Sequence, residues 1–207
     1  MNIFGIDIHK LGQQFVYNPQ EPLIFNSGLF LFLFAGFLAI YILLHKTHRP
    51  KLIFVTLFSL YFYYKSSGIY FLLLISTTVI DYNLARLLAK NDIPWKRSAI
   101  LALSLIANLG LLGYFKYTNF LHEIFSGLAG IEFQPFDIFL PVGISFFTFQ
   151  SLSYTIDVYR KKIEPVDHLL DYAFFISFFP QLVAGPIVRA ADFLPQLSKP
   201  TFVRSEE

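Results

Sequence analysis

The chain has no cysteine, which removes disulfides, thiol nucleophiles and cysteine-ligated metals from consideration. Charge is scarce: 14% of residues are charged, against about 25% in ordinary soluble domains. The net charge is only +2, and no basic patch gathers on a soluble face, so nucleic-acid binding is excluded as a reading. Histidine is sparse as well. None of the five is flanked by an apolar run that would bury it, and His45 with His48 are too few for a metal site. The N-terminus lacks the features of a cleaved signal. Residues 1–22 are polar and mixed with Lys10 as the only basic one, and the apolar run from Leu23 has no small-residue cleavage site. It reads as a retained first helix. No internal repeat, low-complexity tract or soluble domain is visible.

What the chain does have is apolar bulk. Hydrophobic residues make up 55%, phenylalanine alone occurs 26 times, and the mean hydropathy is +0.56. A soluble core of this size could not hide so many rings; a bilayer can. Membrane helices need about 20 apolar residues, and six candidates follow: 23–44, 52–64, 69–88, 98–115, 138–158 and 169–188. Lys65-Ser66-Ser67-Gly68 forms a tight turn between the second and third. The sixth is interrupted by Pro180 and by Gly185-Pro186. The expected fold is all-α and polytopic, with about five or six spans. It divides into a polar tail (1–22), a membrane domain (23–195) and a polar C-terminal tail (196–207). Between the fourth and fifth spans, Lys116–Ile131 repeats Tyr117, Phe120, Leu121, Ile124, Phe125 and Leu128 at helical spacing, with polar residues opposite. Two readings stand: an amphipathic helix on the outer membrane surface, or a short helix packed against its neighbours.

Basic residues orient the set. Ten (Lys46, Arg49, Lys51, Arg86, Lys90, Lys96, Arg97, Arg160, Lys161 and Lys162) follow the odd-numbered spans, against three (Lys10, Lys65 and Lys116) on the other side. The bias places the N-terminus outside the membrane and the ten in the cytoplasm.

Residues 140–188 form the most informative stretch. Lipid offers no hydrogen-bond partners, so polar groups and broken helices survive at membrane depth only inside protein or beside water. This stretch therefore reads as the lining of an intramembrane site. Gln150 sits in mid-span and needs partners, either as a site-lining group or through Ser145, Thr148 and Ser151 in a helix–helix contact. Pro180-Gln181 and Gly185-Pro186 break one helix twice, freeing backbone groups of the kind that line cavities. Arg189 follows as an attractor for an anionic ligand or an interfacial anchor. Asp81 with Arg86, and Asp157 with Arg160, read as charges that fix topology at helix ends.

The strings LFSLYFYYKSSGIYFLLLISTTVIDYNLARLL, NLGLLGYFKYTNF, LPVGISFFTFQSLSYTIDVYR and FISFFPQLVAGPIVRAADFLPQL resemble the N-terminal half of membrane-bound O-acyltransferases, in the bacterial branch that includes alginate O-acetyltransferases. The resemblance runs from about Leu23 across nearly the whole chain. It implies a ring of membrane helices around a thin centre. An acyl group would pass from acetyl-CoA or an acyl thioester carrier to an exported or cell-surface polysaccharide such as alginate, with an extracytoplasmic acyltransferase as a partner. It also implies an essential buried histidine in the family's second half, which has no counterpart here. The expectation is therefore a fragment or truncated protein without its catalytic residue, no bound cofactor or metal, and little activity alone, since general acid–base catalysis typically contributes about 10²–10⁴-fold. Gln150, Pro180, Gln181, Gly185, Pro186 and Arg189 would line the substrate path, positioning and desolvating rather than reacting. Two other classes stand beside this one. A non-catalytic scaffold would dock a partner through Lys116–Ile131. A small transporter would show inverted-repeat symmetry, which the sequence lacks.

Overall fold

The computed structural model describes residues 2–3, 6–7, 12, 14–186 and 188–197. Apart from a two-residue antiparallel pairing of β1 (Asn2–Ile3) with β2 (Ile6–Asp7), the described chain is helical. The helices are α1 (Gly28–Leu43), α2 (His48–Ser67), α3 (Phe71–Lys90), α4 (Pro94–Leu112), α5 (Thr118–Ala129), α6 (Ile144–Tyr159), α7 (Leu169–Ser177), α8 (Phe179–Ala184) and α9 (Ala190–Leu197). Among the described residues, two helical stretches are long and apolar enough to cross a membrane: His48–Lys90, which joins α2 to α3, and Pro94–Ala129.

Local chemistry sets the boundaries. Ser27 caps α1 by accepting the Phe30 N–H at 3.2 Å. The second helix begins at His48, earlier than its apolar run, because Pro50 falls in the first turn, where no N–H is needed. It also runs later than expected: Lys65, Ser66 and Ser67 of the expected turn are still helical, and the turn begins at Gly68. Gly68 adopts φ +60°, and a Cβ there would lie 2.6 Å from the Tyr17 ring, so only glycine fits. A single 3-10 turn, Gly68–Tyr70, then leads into α3. The fifth apolar run is helical only from Ile144: Pro141 and the left-handed Gly143 (φ +73°) keep residues 138–143 out of the helix. Within Lys116–Ile131 the helix is Thr118–Ala129, joined to α4 by a π-helical turn, Gly113–Tyr117.

Contacts at the helix ends show that α2, α3, α4, α6 and α7 alternate in direction. At one end, the Val142 N–H donates to Ser67 Oγ at 3.0 Å. There Tyr70 stacks on Phe139 and meets Phe115 edge-on. At the other end, Arg49 pairs with Asp171 at 2.9 Å, and the Tyr82 hydroxyl donates to the Asp167 carbonyl at 2.7 Å. The buried Arg97 guanidinium donates there to the carbonyls of Leu88 and Tyr159, both at 2.7 Å. It thus places a cation on the C-termini of α3 and α6, where the helix dipoles favour one. The ten basic residues counted in the sequence all belong to segments that meet at this end.

Two apolar clusters hold the bundle. One joins α3, α4, α6, α7 and α9 around Leu74, Phe147, Tyr154, Tyr172 and Phe175. The other is mostly aromatic: Phe179 touches the rings of Phe25, Phe30, Phe34, Phe37, Phe58 and Phe62, with centroids 5.2–6.4 Å away. The sixth apolar run does not cross the bundle as one helix. It climbs through α7, breaks at Phe178 and continues as α8 to the start of α6, where the Leu182 carbonyl packs against Gly143. It then turns back. In α9, Phe193 lies on Phe174 and Phe175, and Ala190 and Leu194 line a cleft of about 300 Å³ with Ile163 and Val166, at the end where α7 began.

Candidate functional site

The break between α7 and α8 organises the site. Pro180 has no N–H, and Phe178 leaves the helical conformation with ψ 107°, so the hydrogen-bond ladder stops within apolar surroundings. Two of the groups released there find side chains. The Phe175 carbonyl, which Phe179 would have served in a continuous helix, accepts from Gln150 Nε2 at 3.1 Å. The Phe179 N–H donates instead to Ser59 Oγ of α2 at 3.3 Å. Gln150 is 2% exposed. Its partner is this backbone carbonyl, not Ser145, Thr148 or Ser151. Gln181 is buried on α8, and its Nε2 reaches the Pro186 carbonyl at 3.4 Å. Gly185 folds so close that a Cβ would lie 2.6 Å from Gln181 Cα.

Gln150, Pro180, Gln181, Gly185 and Pro186 therefore gather along one interrupted segment. Arg189 stands apart, exposed at the start of α9, where its carbonyl accepts the Asp192 and Phe193 N–H groups. Ile187 and the tail from Ser198 lie outside the described residues, as does His9.

One polar cluster was misread in the sequence. Asp81 is completely buried, eleven residues into the twenty of α3, and not at a helix end. Its carboxylate accepts from Ser104 Oγ at 2.8 Å, from Asn108 Nδ2 at 2.8–2.9 Å to both oxygens, and from Ser151 Oγ. Because the Ser151 hydrogen goes to Asp81, the Tyr172 hydroxyl must donate to Ser151 Oγ, at 2.7 Å. Four helices, α3, α4, α6 and α7, thus meet at one carboxylate. Among the described residues Asp81 pairs with no lysine, arginine or histidine. Arg86 donates instead to the Tyr82 hydroxyl at 2.8 Å. The available signal was the spacing Ser104-x-x-x-Asn108, a polar stripe on an otherwise apolar helix that needs a buried partner.

Histidine stays peripheral. His45, His48 and His168 are exposed, and His122 packs beside Phe133 and Phe136 on α5, outside the bundle. Among the described residues no group of three His, Cys, Asp or Glu could hold a metal. The arrangement can hold a kinked backbone within apolar surroundings.

Three similar proteins fit this picture. The chain is 35% identical over 84% of its length to a peptidoglycan O-acetyltransferase of Helicobacter pylori. It is 35% identical over 86% to a protein named "Probable alginate O-acetylase AlgI" from Pseudomonas aeruginosa, and 37% identical over 86% to the one of that name from Azotobacter vinelandii. The chain is similar to part of these relatives, which are O-acetyltransferases of the membrane-bound O-acyltransferase type. It spans only 35–38% of their length. The aligned part takes in most of the chain, so the similarity rests on the helical body rather than on a short motif. No family model matches the chain, and no solved structure matches it.

Proposed function

We propose that the chain serves an O-acetyltransferase of the bacterial inner membrane that esterifies hydroxyl groups of a cell-surface or exported polysaccharide. The observation that carries this is the 30–37% identity to relatives named O-acetyltransferases of peptidoglycan and alginate. The donor is acetyl-CoA or another acyl thioester on the cytoplasmic side, where the ten basic residues gather. The acceptor oxygen attacks the thioester carbonyl, its proton is taken by a base, and the thiolate leaves and is protonated. The base is the buried histidine expected from the family's second half, since none of the described histidines reaches the bundle interior. This chain contributes five or six membrane segments with the N-terminus outside, and the α7–α8 break as a rigid wall of the acyl path.

The test is expression of the full polypeptide in a host whose own polymer O-acetylase is deleted, followed by assay of alkali-labile acetate on purified polysaccharide. Restored acetate on an exopolysaccharide or on peptidoglycan supports the reading and identifies the acceptor. No ester on either, with the protein present in the membrane, sinks it.

One observation favours a docking role beside catalysis. The apolar residues Phe120, Leu121, Ile124, Phe125 and Leu128 of α5 are 44–81% exposed, and the helix packs mainly on the π turn before it. If α5 captures an extracytoplasmic acyltransferase, charged residues at Leu121 and Ile124 abolish capture. Unchanged capture rejects the idea.

A further inference from the structure

We propose that Asp81 is a positioning residue for the broken segment, acting through Ser151 and Tyr172 to fix the depth at which α7 gives way to α8. This rests on the reading of that break as part of an acyl path. The chain of contacts is short and closed. Asp81 takes the Ser151 hydrogen, Ser151 takes the Tyr172 hydrogen, and Tyr172 lies in the first turn of α7, six residues before Phe178. The neighbouring Gln150 holds the same helix one turn further on, at the Phe175 carbonyl. Adjacent residues of α6 therefore grip α7 at two heights, and the upper of the two covers a group released by the break. A hydroxyl such as Ser151 can rotate among acceptors. Only the carboxylate, itself held by Ser104 and Asn108 from α4, leaves that hydroxyl a single choice and so makes it an acceptor for Tyr172. An intramembrane carboxylate is costly and is kept where it has work to do. Here the work is orientation: no substrate reaches a fully buried Asp81.

The experiment places a near-isosteric probe, Ser177→Cys, at the last residue of α7, which is 2% exposed. It uses the full polypeptide in membranes. Reaction with N-ethylmaleimide is followed by mass spectrometry on the peptide that carries residue 177, a clean readout because this chain has no cysteine of its own. Tyr172→Phe keeps the ring packed on Tyr154 and Phe175 and removes only the link. It should raise the labelling rate at least tenfold. Ser104→Ala also removes a hydrogen bond to Asp81, but from the other side, and should leave the rate within twofold of the parent. If Tyr172→Phe does not reach the membrane, Ser151→Ala cuts the same chain. In the acetyl-transfer assay Tyr172→Phe should lower kcat about tenfold with the donor KM within twofold. Unchanged labelling in Tyr172→Phe, equal acceleration in Ser104→Ala, or faster labelling with kcat intact overturns the proposal. A parent protein with no transferase activity sinks the functional reading alone and leaves the labelling result to stand on its own.

Discussion

At the scale of single residues, the molecule uses its few polar groups where backbone would otherwise be stranded. Arg97, Lys65, Gln150 and Ser59 all serve main-chain atoms of other segments: Lys65 Nζ, for instance, donates to the carbonyls of Gln14 at 2.7 Å and Val16 at 2.6 Å. Stripping such a residue leaves its partner unsatisfied in an apolar setting, which costs about 1–3 kcal/mol. Gln150→Leu, which keeps the bulk and exposes the Phe175 carbonyl, should lose about that much, seen as a lower midpoint in thermal unfolding in detergent. A midpoint equal to that of the parent would mean the carbonyl finds another donor. Gly143→Ala is a second case. The left-handed backbone costs an L-residue about 1–2 kcal/mol, and the added Cβ would stand 2.5 Å from the Leu182 carbonyl oxygen. It should destabilise the chain and shift α8; an unchanged midpoint would show that α8 yields freely.

At the scale of elements, the helix break is held mainly by aromatic packing. Phe179, 3% exposed, sits among phenylalanines from α1, α2 and the stretch before α1, and so adds to the direct packing of Phe30 and Phe37 on Phe54, Phe58 and Phe62 that ties the first helix to the bundle. Phe179→Ala should cost about 3–5 kcal/mol and loosen α1, measurable as faster hydrogen exchange across Gly28–Leu43. Exchange confined to α8 would argue that the direct contacts hold α1 by themselves. Much of this element was legible in sequence. Pro180 and Gly185-Pro186 announced the interruption, and Gln150 announced a need for a partner. The partner itself was not legible, because it is a carbonyl 25 residues away whose availability depends on where the helix fails. Asp81 was misplaced for a related reason. The apolar run up to Leu88 did not reveal that α3 continues to Lys90 and that Asp81 faces inward, and facing is decided by three other helices. The same limit applies to Pro141 and Gly143: their composition is apolar, so the run looked continuous, while their backbone chemistry ends the helix.

At the scale of the whole molecule, the alternation of α2, α3, α4, α6 and α7 brings all ten basic residues to one end, in line with the loop bias read from sequence. The return of α9 brings the last described residues to that end too, a point the sequence left open. Single cysteines placed at Lys161 and at Gln196 should therefore react with an impermeant maleimide from the same face of the membrane, and one at Ile138 from the opposite face. Labelling of residues 161 and 196 from opposite faces would mean that the sixth segment crosses after all.

The π-helical turn at Gly113–Tyr117 has a bearing on how this surface could change by mutation. Such a turn holds one residue more than an α-helix needs, and each residue of an α-helix subtends about 100°. Losing one codon there would leave an uninterrupted helix from Pro94 to Ala129 and rotate everything beyond it by roughly that angle. Asn119 would then swing away from Phe136, whose N–H and carbonyl it now clasps at 2.9 and 3.0 Å. Phe125 and Leu128 would face a different medium without any change in their identity. A one-residue deletion between Gly113 and Tyr117 should thus do more to the exposed face of α5 than any point substitution on it, making this turn the hinge pin on which that face is hung.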